Sequence, residues 1–304
     1  MATVHYDIRI DDAARRQMLY EGDIFIYSPT KTSLALCNLA RELLQQEFAP
    51  LEPDMAQYGL PVEEYAAKLA RVKPAFIHHP RCKELIPEMM EHLGCDPAFS
   101  YFDVPRLRTS TSDGYLTTGI AYAFHPHRDT WYSAPQCQIN WWFPVSELSS
   151  TNCMTFYPRY FSRQVKNSSH TYNYHRWNRE SRMTAVKHIG KDTRVQPKPE
   201  EPLELESDLR LIPPVGGLIL FSGAQLHASV ENTSGRTRIS IDFRTVNLTD
   251  IREHRGAQNI DSSCTGTSLR DFLRCSDLSL LPEELVKPYD TAEADLQIAA
   301  APPA

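Results

Sequence analysis

The sequence predicts a mainly β fold, a barrel or jelly roll, with helices packed against it. Two observations lead there. From about Val104 onward, short apolar runs alternate with Gly, Pro, Asn and Ser punctuation, the texture of antiparallel strands. Before that point, apolar residues recur at 3–4 spacing, the texture of amphipathic helices seeking a flat apolar partner.

In chain order, Ser33 is expected to cap a helix with Leu36, Leu39, Ala40, Leu43 and Leu44 on one face. Pro61 opens a second, with Val62, Tyr65, Ala66 and Leu69 on one side. A third runs from about Arg81 to Leu93, with Gly94 as its cap and Pro87 as a kink. Expected strands are Leu116–Phe124, Gln136–Phe143, Met154–Tyr157, Leu209–Ile212, Leu218–Phe221 and Thr237–Val246. Residues 159–208 have little periodicity and read as a long insertion; insertions of that length are usually lids or mobile loops. The tail after Tyr289 reads as frayed. A single domain is expected over 1–304: a helical scaffold (1–100), a core (101–250) carrying the insertion, and a C-terminal extension (251–304).

The composition is that of a globular protein, 41% apolar and 23% charged. No apolar run approaches the roughly 20 residues that cross a bilayer. Met1-Ala2-Thr3-Val4-His5 lacks a basic start followed by an apolar stretch, and seven scattered cysteines form no Cys-x-x-Cys pair. A cytoplasmic protein with free thiols is expected. The net charge of −6 hides an asymmetry. Between Arg159 and Lys198 stand ten Lys/Arg and two Asp/Glu, a local balance of +8, which leaves −14 elsewhere.

Chemistry concentrates at His127-Arg128-Asp129 and His227. On an extended strand His127 and Asp129 point one way and Arg128 the other, so the pair can chelate one metal. Two histidines and a carboxylate are the facial ligand set of non-haem Fe(II), with open positions opposite. His125 is a rival ligand; preceding Pro126, it is expected to be structural. In Arg238-Ile239-Ser240-Ile241-Asp242-Phe243-Arg244, alternation puts the polar residues on one face and the apolar ones in the core. Arg238, eleven residues past His227, supplies a planar cationic fork and Ser240 a hydroxyl for a carboxylate. A surface strand with salt bridges is the alternative. Iron, open sites and a carboxylate anchor together suggest an oxygenase that consumes a 2-oxo acid.

Gln136, Gln138, Asn140 and Trp142 share another face. Gln138 and Asn140 are expected to meet co-substrate or substrate, because buried amides need partners. The alternative is an exposed polar face with Trp141 in the core. Trp131 and Tyr132 are placed either in a pocket wall or in ordinary packing. For the basic insertion three readings stand. It is a solvated mobile lid. Or it is a lid whose Arg159, Arg163, Arg176 and Arg179 grip an anion between Tyr172, Tyr174 and Trp177. Or it is a nucleic-acid groove, which the acidic remainder of the chain opposes.

From Leu116 to Val246 the sequence resembles the phytanoyl-CoA dioxygenase family of Fe(II)/2-oxoglutarate oxygenases. The matching segments are His127-Arg128-Asp129, Asn152-Cys153-Met154 leading to Pro158, Pro214-Val215-Gly216-Gly217 before His227, Asn232-Thr233-Ser234, and Arg238. Cys153 stands for the usual Gly and Gly217 for the usual Asp. The insertion after Pro158 departs from simpler members, which weakens any carry-over of substrate.

The resemblance implies a double-stranded β-helix core, cupin-like, with iron on His127, Asp129 and His227. It also implies 2-oxoglutarate held by Arg238, O2 as oxidant, and release of succinate and CO2. Asp129 further implies oxygen chemistry rather than halogenation, since halogenating relatives carry a small residue there. The expected substrate is a small polar or anionic metabolite, with Asn140, Trp131, Trp142, Arg159, Arg163, Tyr174, Trp177 and Arg244 as candidate contacts. The alternatives are an acyl-CoA hydroxylase, a nucleic-acid demethylase, and a non-catalytic binding module.

Overall fold

The computed structural model describes residues 2–121 and 125–290. Its core is two β-sheets facing each other, with helices on the outer face of the larger one. That sheet contains β1 (Val4–Tyr6), β2 (Ile24–Tyr27), β3 (Ser100–Phe102), β4 (Arg106–Ser110), β5 (Ile139–Pro144), β8 (Leu218–Ser222), β10 (Arg238–Asn247) and β11 (Leu273–Arg274). Its order is β1-β2-β8-β5-β10-β3-β11, with β4 also pairing β10. The smaller sheet is β7-β6-β9, built from Leu209–Leu211, Met154–Phe156 and His227–Ser229.

Period-two alternation decides what each face of the large sheet meets. Phe25, Tyr27, Trp141, Phe143, Leu218, Leu220, Ile239, Ile241 and Phe243 face outward into the helices. Ile24, Ile26, Trp142, Ile219 and Phe221 face inward and pack on Met154, Phe156 and Leu211 of the small sheet. The outer layer is α2 (Lys31–Phe48), α3 (Val62–Ile77) and α4 (Pro80–His92), preceded by α1 (Asp12–Tyr20). α2 buries Leu36, Ala40 and Leu44 as its spacing predicts, with Leu39 and Leu43 half-buried against the same core. Thr30 rather than Ser33 is its N-cap. Ser33 sits at the third position and bonds back, so the two residues form a capping box. Gly94 does follow α4, at φ +86°.

Four expectations need correction. The first hundred residues are not purely a helical scaffold: β1 and β2 lie there, and β2 pairs with β8 inside the large sheet. β2 is only four residues long and buried throughout, so it offers no alternation to read. β4 was missed as a strand. Leu116–Phe124 is not a strand where it is described: Gly119–Ala121 is a 3₁₀ turn, and residues 122–124 lie outside the described residues. The run from Pro213 to Leu226 reads as an apolar strand that delivers His227 at its far end, and it does not. β8 stops at Ser222, the chain turns through Gly223–Leu226, and His227 opens β9 in the other sheet. The tail beyond Asp290 lies outside the described residues.

Candidate metal centre and cavity

His127 and Asp129 sit where the chain crosses to the small sheet. His127 forms a two-way backbone bridge with His227, each amide donating to the other's carbonyl at 3.0 Å. That bridge places the two imidazoles side by side, ring centroids 4.4 Å apart. Asp129 then begins a 3₁₀ turn, Asp129–Tyr132, instead of continuing a strand. The turn returns its carboxylate to the imidazoles: Asp129 Oδ1 lies 3.4 Å from His127 Nε2 and 3.9 Å from His227 Nε2. All three donor atoms lie within 4.8 Å of one another.

The ring nitrogens are sorted by what they touch. His127 Nδ1 is 2.8 Å from the His125 carbonyl, and His227 Nδ1 is 3.0 Å from the Gln225 carbonyl. A carbonyl only accepts, so each Nδ1 carries the proton and each Nε2 turns a lone pair toward Asp129. Burial, with His127 alongside, pushes His227 down to about 4 and keeps it neutral, the form a metal would need. Burial raises the Asp129 carboxyl. The polar side chains around it, His127 and His227 foremost, outweigh burial and hold the group at about 2, so the carboxylate stays ionised. His125 is a structural residue as expected: its Nε2 meets the Pro197 carbonyl at 2.7 Å and its own carbonyl orients His127.

Arg128 points away from this cluster. It is 1% exposed and donates to Asp261 and to the carbonyls of Ala224, Tyr160 and Arg163. Asp261 also accepts from Trp131 Nε1 and Val165 N. The residue between two donor residues thus ties the root of the insertion to the C-terminal segment. Arg128→Met is expected to cost about 3–5 kcal/mol, because it strands a buried carboxylate. Denaturant unfolding checks this; a loss under about 1 kcal/mol would show that Asp261 finds other donors.

The cluster opens into a cavity of about 300 Å³. From the large sheet, Arg106, Arg108, Asn140, Trp142, Arg238, Asp242 and Arg244 line it. The insertion contributes Tyr172, Tyr174, Trp177, Asn178, Arg182 and Gln196. The insertion is therefore a wall of the site, stapled in place at Asn173, which bridges Thr265. It also approaches Gly119 so closely that a Cβ there would collide with the Ala185 and His188 carbonyls.

Arg238 is 4% exposed yet meets no carboxylate among the described residues. Its Nη atoms reach Asn152 O at 3.4 Å and Ser229 Oγ at 3.2 Å, and it stands over the Trp142 ring. Its Nε and the hydroxyl of neighbouring Ser240 are buried without hydrogen bonds to any described residue. A buried cationic fork with an idle donor is unfavourable alone and fits an incoming carboxylate.

Asn140, Trp142, Tyr174, Trp177 and Arg244 line the cavity as expected. Four expected contacts are elsewhere. Gln138 is fully buried behind Asp129, donating to Asp129 Oδ2 at 3.2 Å and Asn140 Oδ1 at 2.9 Å, so it orients the carboxylate instead of meeting a co-substrate. Trp131 is core, held by Asp261, while Tyr132 takes the wall position. Arg159 is exposed and paired with Glu204. Arg163 is exposed and lies over Tyr160. Both stand at the insertion's outer root, where the chain has not yet turned toward the cavity. Arg176 and Arg179 pair outside with Glu180. Sequence reasoning missed Arg106 and Arg108, although Arg106-Leu107-Arg108 alternates over too short a run to stand out.

A jelly roll with a two-histidine, one-carboxylate cluster at the mouth of an internal cavity defines the class: a metal-site oxygenase scaffold. The chain belongs to the phytanoyl-CoA dioxygenase family, whose model matches residues 26–240. It is thus a non-haem Fe(II)/2-oxoglutarate-dependent oxygenase, with Fe(II), 2-oxoglutarate and O2 as its cofactors. No curated protein sequence matches significantly. Among solved structures, the non-haem alpha-ketoglutarate-dependent epimerase SnoN from nogalamycin biosynthesis is 15% identical, covering 77% of this chain and 84% of that one, TM-score 0.37. AviO1 from Streptomyces viridochromogenes Tue57 is 12% identical (79% and 96% covered, TM-score 0.39). EvdO2 from Micromonospora carbonacea var. aurantiaca is 11% identical (78% and 91% covered, TM-score 0.40). Among the described residues no helix is long and apolar enough to cross a membrane.

Proposed function

We propose that the chain hydroxylates or otherwise oxidises a small polar or anionic metabolite. His127, Asp129 and His227 would hold the iron, and Arg238 the distal carboxylate of 2-oxoglutarate. The observation that carries this reading is the sorted donor set. Two Nε2 lone pairs and one carboxylate oxygen converge at a cavity that also presents an unsatisfied buried arginine. When bound, iron with 2-oxoglutarate supplies O2 activation coupled to loss of CO2 and formation of succinate.

The chain's own residues do the positioning. The carbonyls of His125 and Gln225 keep each Nε2 deprotonated. Gln138 steadies the second oxygen of Asp129. Ser240 adds a hydroxyl beside the Arg238 fork. Tyr172, Tyr174 and Trp177 cover the cavity and limit water around the reacting group. Their inward placement favours a small molecule over a nucleic acid, whose bases need an open stacking face. Residues 1–304 would act as one oxygenase domain, since the insertion and the C-terminal segment both build the site. A cytoplasmic location fits the seven free thiols.

The test is anaerobic addition of Fe(II) and 2-oxoglutarate to the metal-free protein. A visible charge-transfer band is expected, followed on oxygenation by succinate without chlorinated product in chloride buffer. No band and no retained iron would overturn the assignment of the ligands. Chlorinated product would overturn the oxygenation chemistry.

A further inference from the structure

The cavity holds one positive charge that neither iron nor 2-oxoglutarate accounts for. Among the described residues five arginines line it. Arg108 is paired with Asp242, its Nε and Nη2 donating at 2.6 and 3.2 Å. Arg182 reaches Asp271 at 3.5 Å. Arg238 is spoken for by the co-substrate. The remaining two, Arg106 and Arg244, share a single carboxylate. Arg106 Nη1 donates to Asp103 Oδ2 at 2.8 Å. Arg244 donates to Asp103 through its backbone N at 2.7 Å and Nε at 2.6 Å.

Asp103 is 1% exposed and is not part of the cavity wall, whereas both arginines are. The carboxylate therefore sits behind the two guanidiniums and fixes them, while their front edges meet the cavity. Two cations on one anion leave an excess of one positive charge, already ordered and partly desolvated. β4 and β10 are hydrogen-bonded neighbours on which Arg106 lies opposite Asp242, so this pair sits on the same inner face as Arg238. The wall across from the sheet is aromatic: Tyr172 packs edge-on to Tyr132 at 5.3 Å and tilted against Trp177 at 5.8 Å.

We propose that Arg106 and Arg244 form the substrate's anchor, a subsite for a carboxylate borne on a flat, apolar body that packs against Tyr172 and Trp177. This rests on the oxygenase reading and narrows its substrate class to monocarboxylates. One carboxylate balances the excess charge. A phosphate dianion would leave a negative charge unpaired in a largely buried site.

The test uses the full chain with 3-phenylpropionate, its neutral amide, and 2-phenylethyl phosphate as probes. Binding is followed by tryptophan fluorescence, without metal and with Fe(II) and 2-oxoglutarate under nitrogen. The acid is expected to bind about 10- to 100-fold tighter than the amide, as one charged hydrogen-bonded pair implies. That preference is expected to vanish in Arg106→Gln, to return in part in Arg106→Lys, and to persist in Arg238→Met. Asp103→Asn, which removes the balancing charge, is expected to strengthen acid binding. Equal binding of acid and amide to the unmutated protein overturns the proposal whether or not any variant folds. So does a preference that survives Arg106→Gln or is lost in Asp103→Asn. Tighter binding of the phosphate overturns the choice of a carboxylate. Because the metal-free titration needs no iron, failure of the iron site would appear separately, as a missing charge-transfer band.

Discussion

Asp129→Ala is expected to abolish iron retention and lower succinate formation at least about 1,000-fold, on the order of 4 kcal/mol of lost barrier reduction. The reasoning is geometric. Among the described residues Asp129 supplies the one anionic member of the donor set. Without it two neutral imidazoles 4.4 Å apart must hold a dication alone. Folding should survive, because the carboxylate's other role is to accept from Gln138, and Asn140 Oδ1 remains as acceptor. A loss of about 1 kcal/mol is expected for that hydrogen bond. Thermal melts separate the two effects. A divalent metal at about 100 times its Kd should stabilise the unmutated protein by roughly 2.7 kcal/mol and the variant by almost nothing. A variant that still binds one iron and makes succinate would show that Asp129 is not a ligand.

Arg238→Met is expected to raise the KM for 2-oxoglutarate about 10- to 100-fold, since a charge-assisted fork to a carboxylate contributes about 1.5–3 kcal/mol. In the cofactor-free protein the same substitution should not destabilise, and should even stabilise. Burial lowers the pKa of Arg238 to about 10 from its ordinary 12.5. A cation whose folded pKa is depressed subtracts stability at every pH below the folded value, and the penalty fades as pH rises through about 10. At neutral pH that amounts to ~3 kcal/mol, offset in part by the Trp142 face and two weak hydrogen bonds. Methionine has similar reach and no charge to desolvate. Denaturation of the two proteins without ligand, then with 2-oxoglutarate and metal, should reverse their order of stability. A variant that is less stable in both conditions would assign Arg238 a structural role.

The parts of this protein that the chain could announce are those written in local periodicity. The alternation along 238–244 placed Ile239, Ile241 and Phe243 in the core and Arg238, Asp242 and Arg244 on the cavity side, and the sheet keeps that division. The 3–4 spacing from Leu36 to Leu44 and from Tyr65 to Leu69 found the helices that cover the sheet. That His127, Asp129 and His227 come together could be anticipated because ligand chemistry restricts residue type.

β2 was illegible because a strand buried on both faces has no alternation. β4 is short, and its cavity-facing arginines look like any exposed polar row until β10 is laid beside it. Gln138 and Trp131 were misplaced for a related reason. Alternation says which side of a strand a side chain leaves from, but not how deep the neighbours bury it. Gln138 ends behind Asp129 because the Asp129–Tyr132 turn brings that carboxylate onto it.

The sequence alone singled out His127, Asp129, His227 and Arg238 and the layering of sheet and helices, since each is read from residue type and spacing within its own segment. Only the tertiary structure decided that His127 pairs with His227 beside the small sheet and that residues 172–196 wall the cavity. It also decided that Asp103 stands behind Arg106 and Arg244. The His127–His227 and Asp103–Arg244 contacts span 100 and 141 residues of chain. Contacts at that range depend on how whole sheets register and pack, which short-range spacing does not encode.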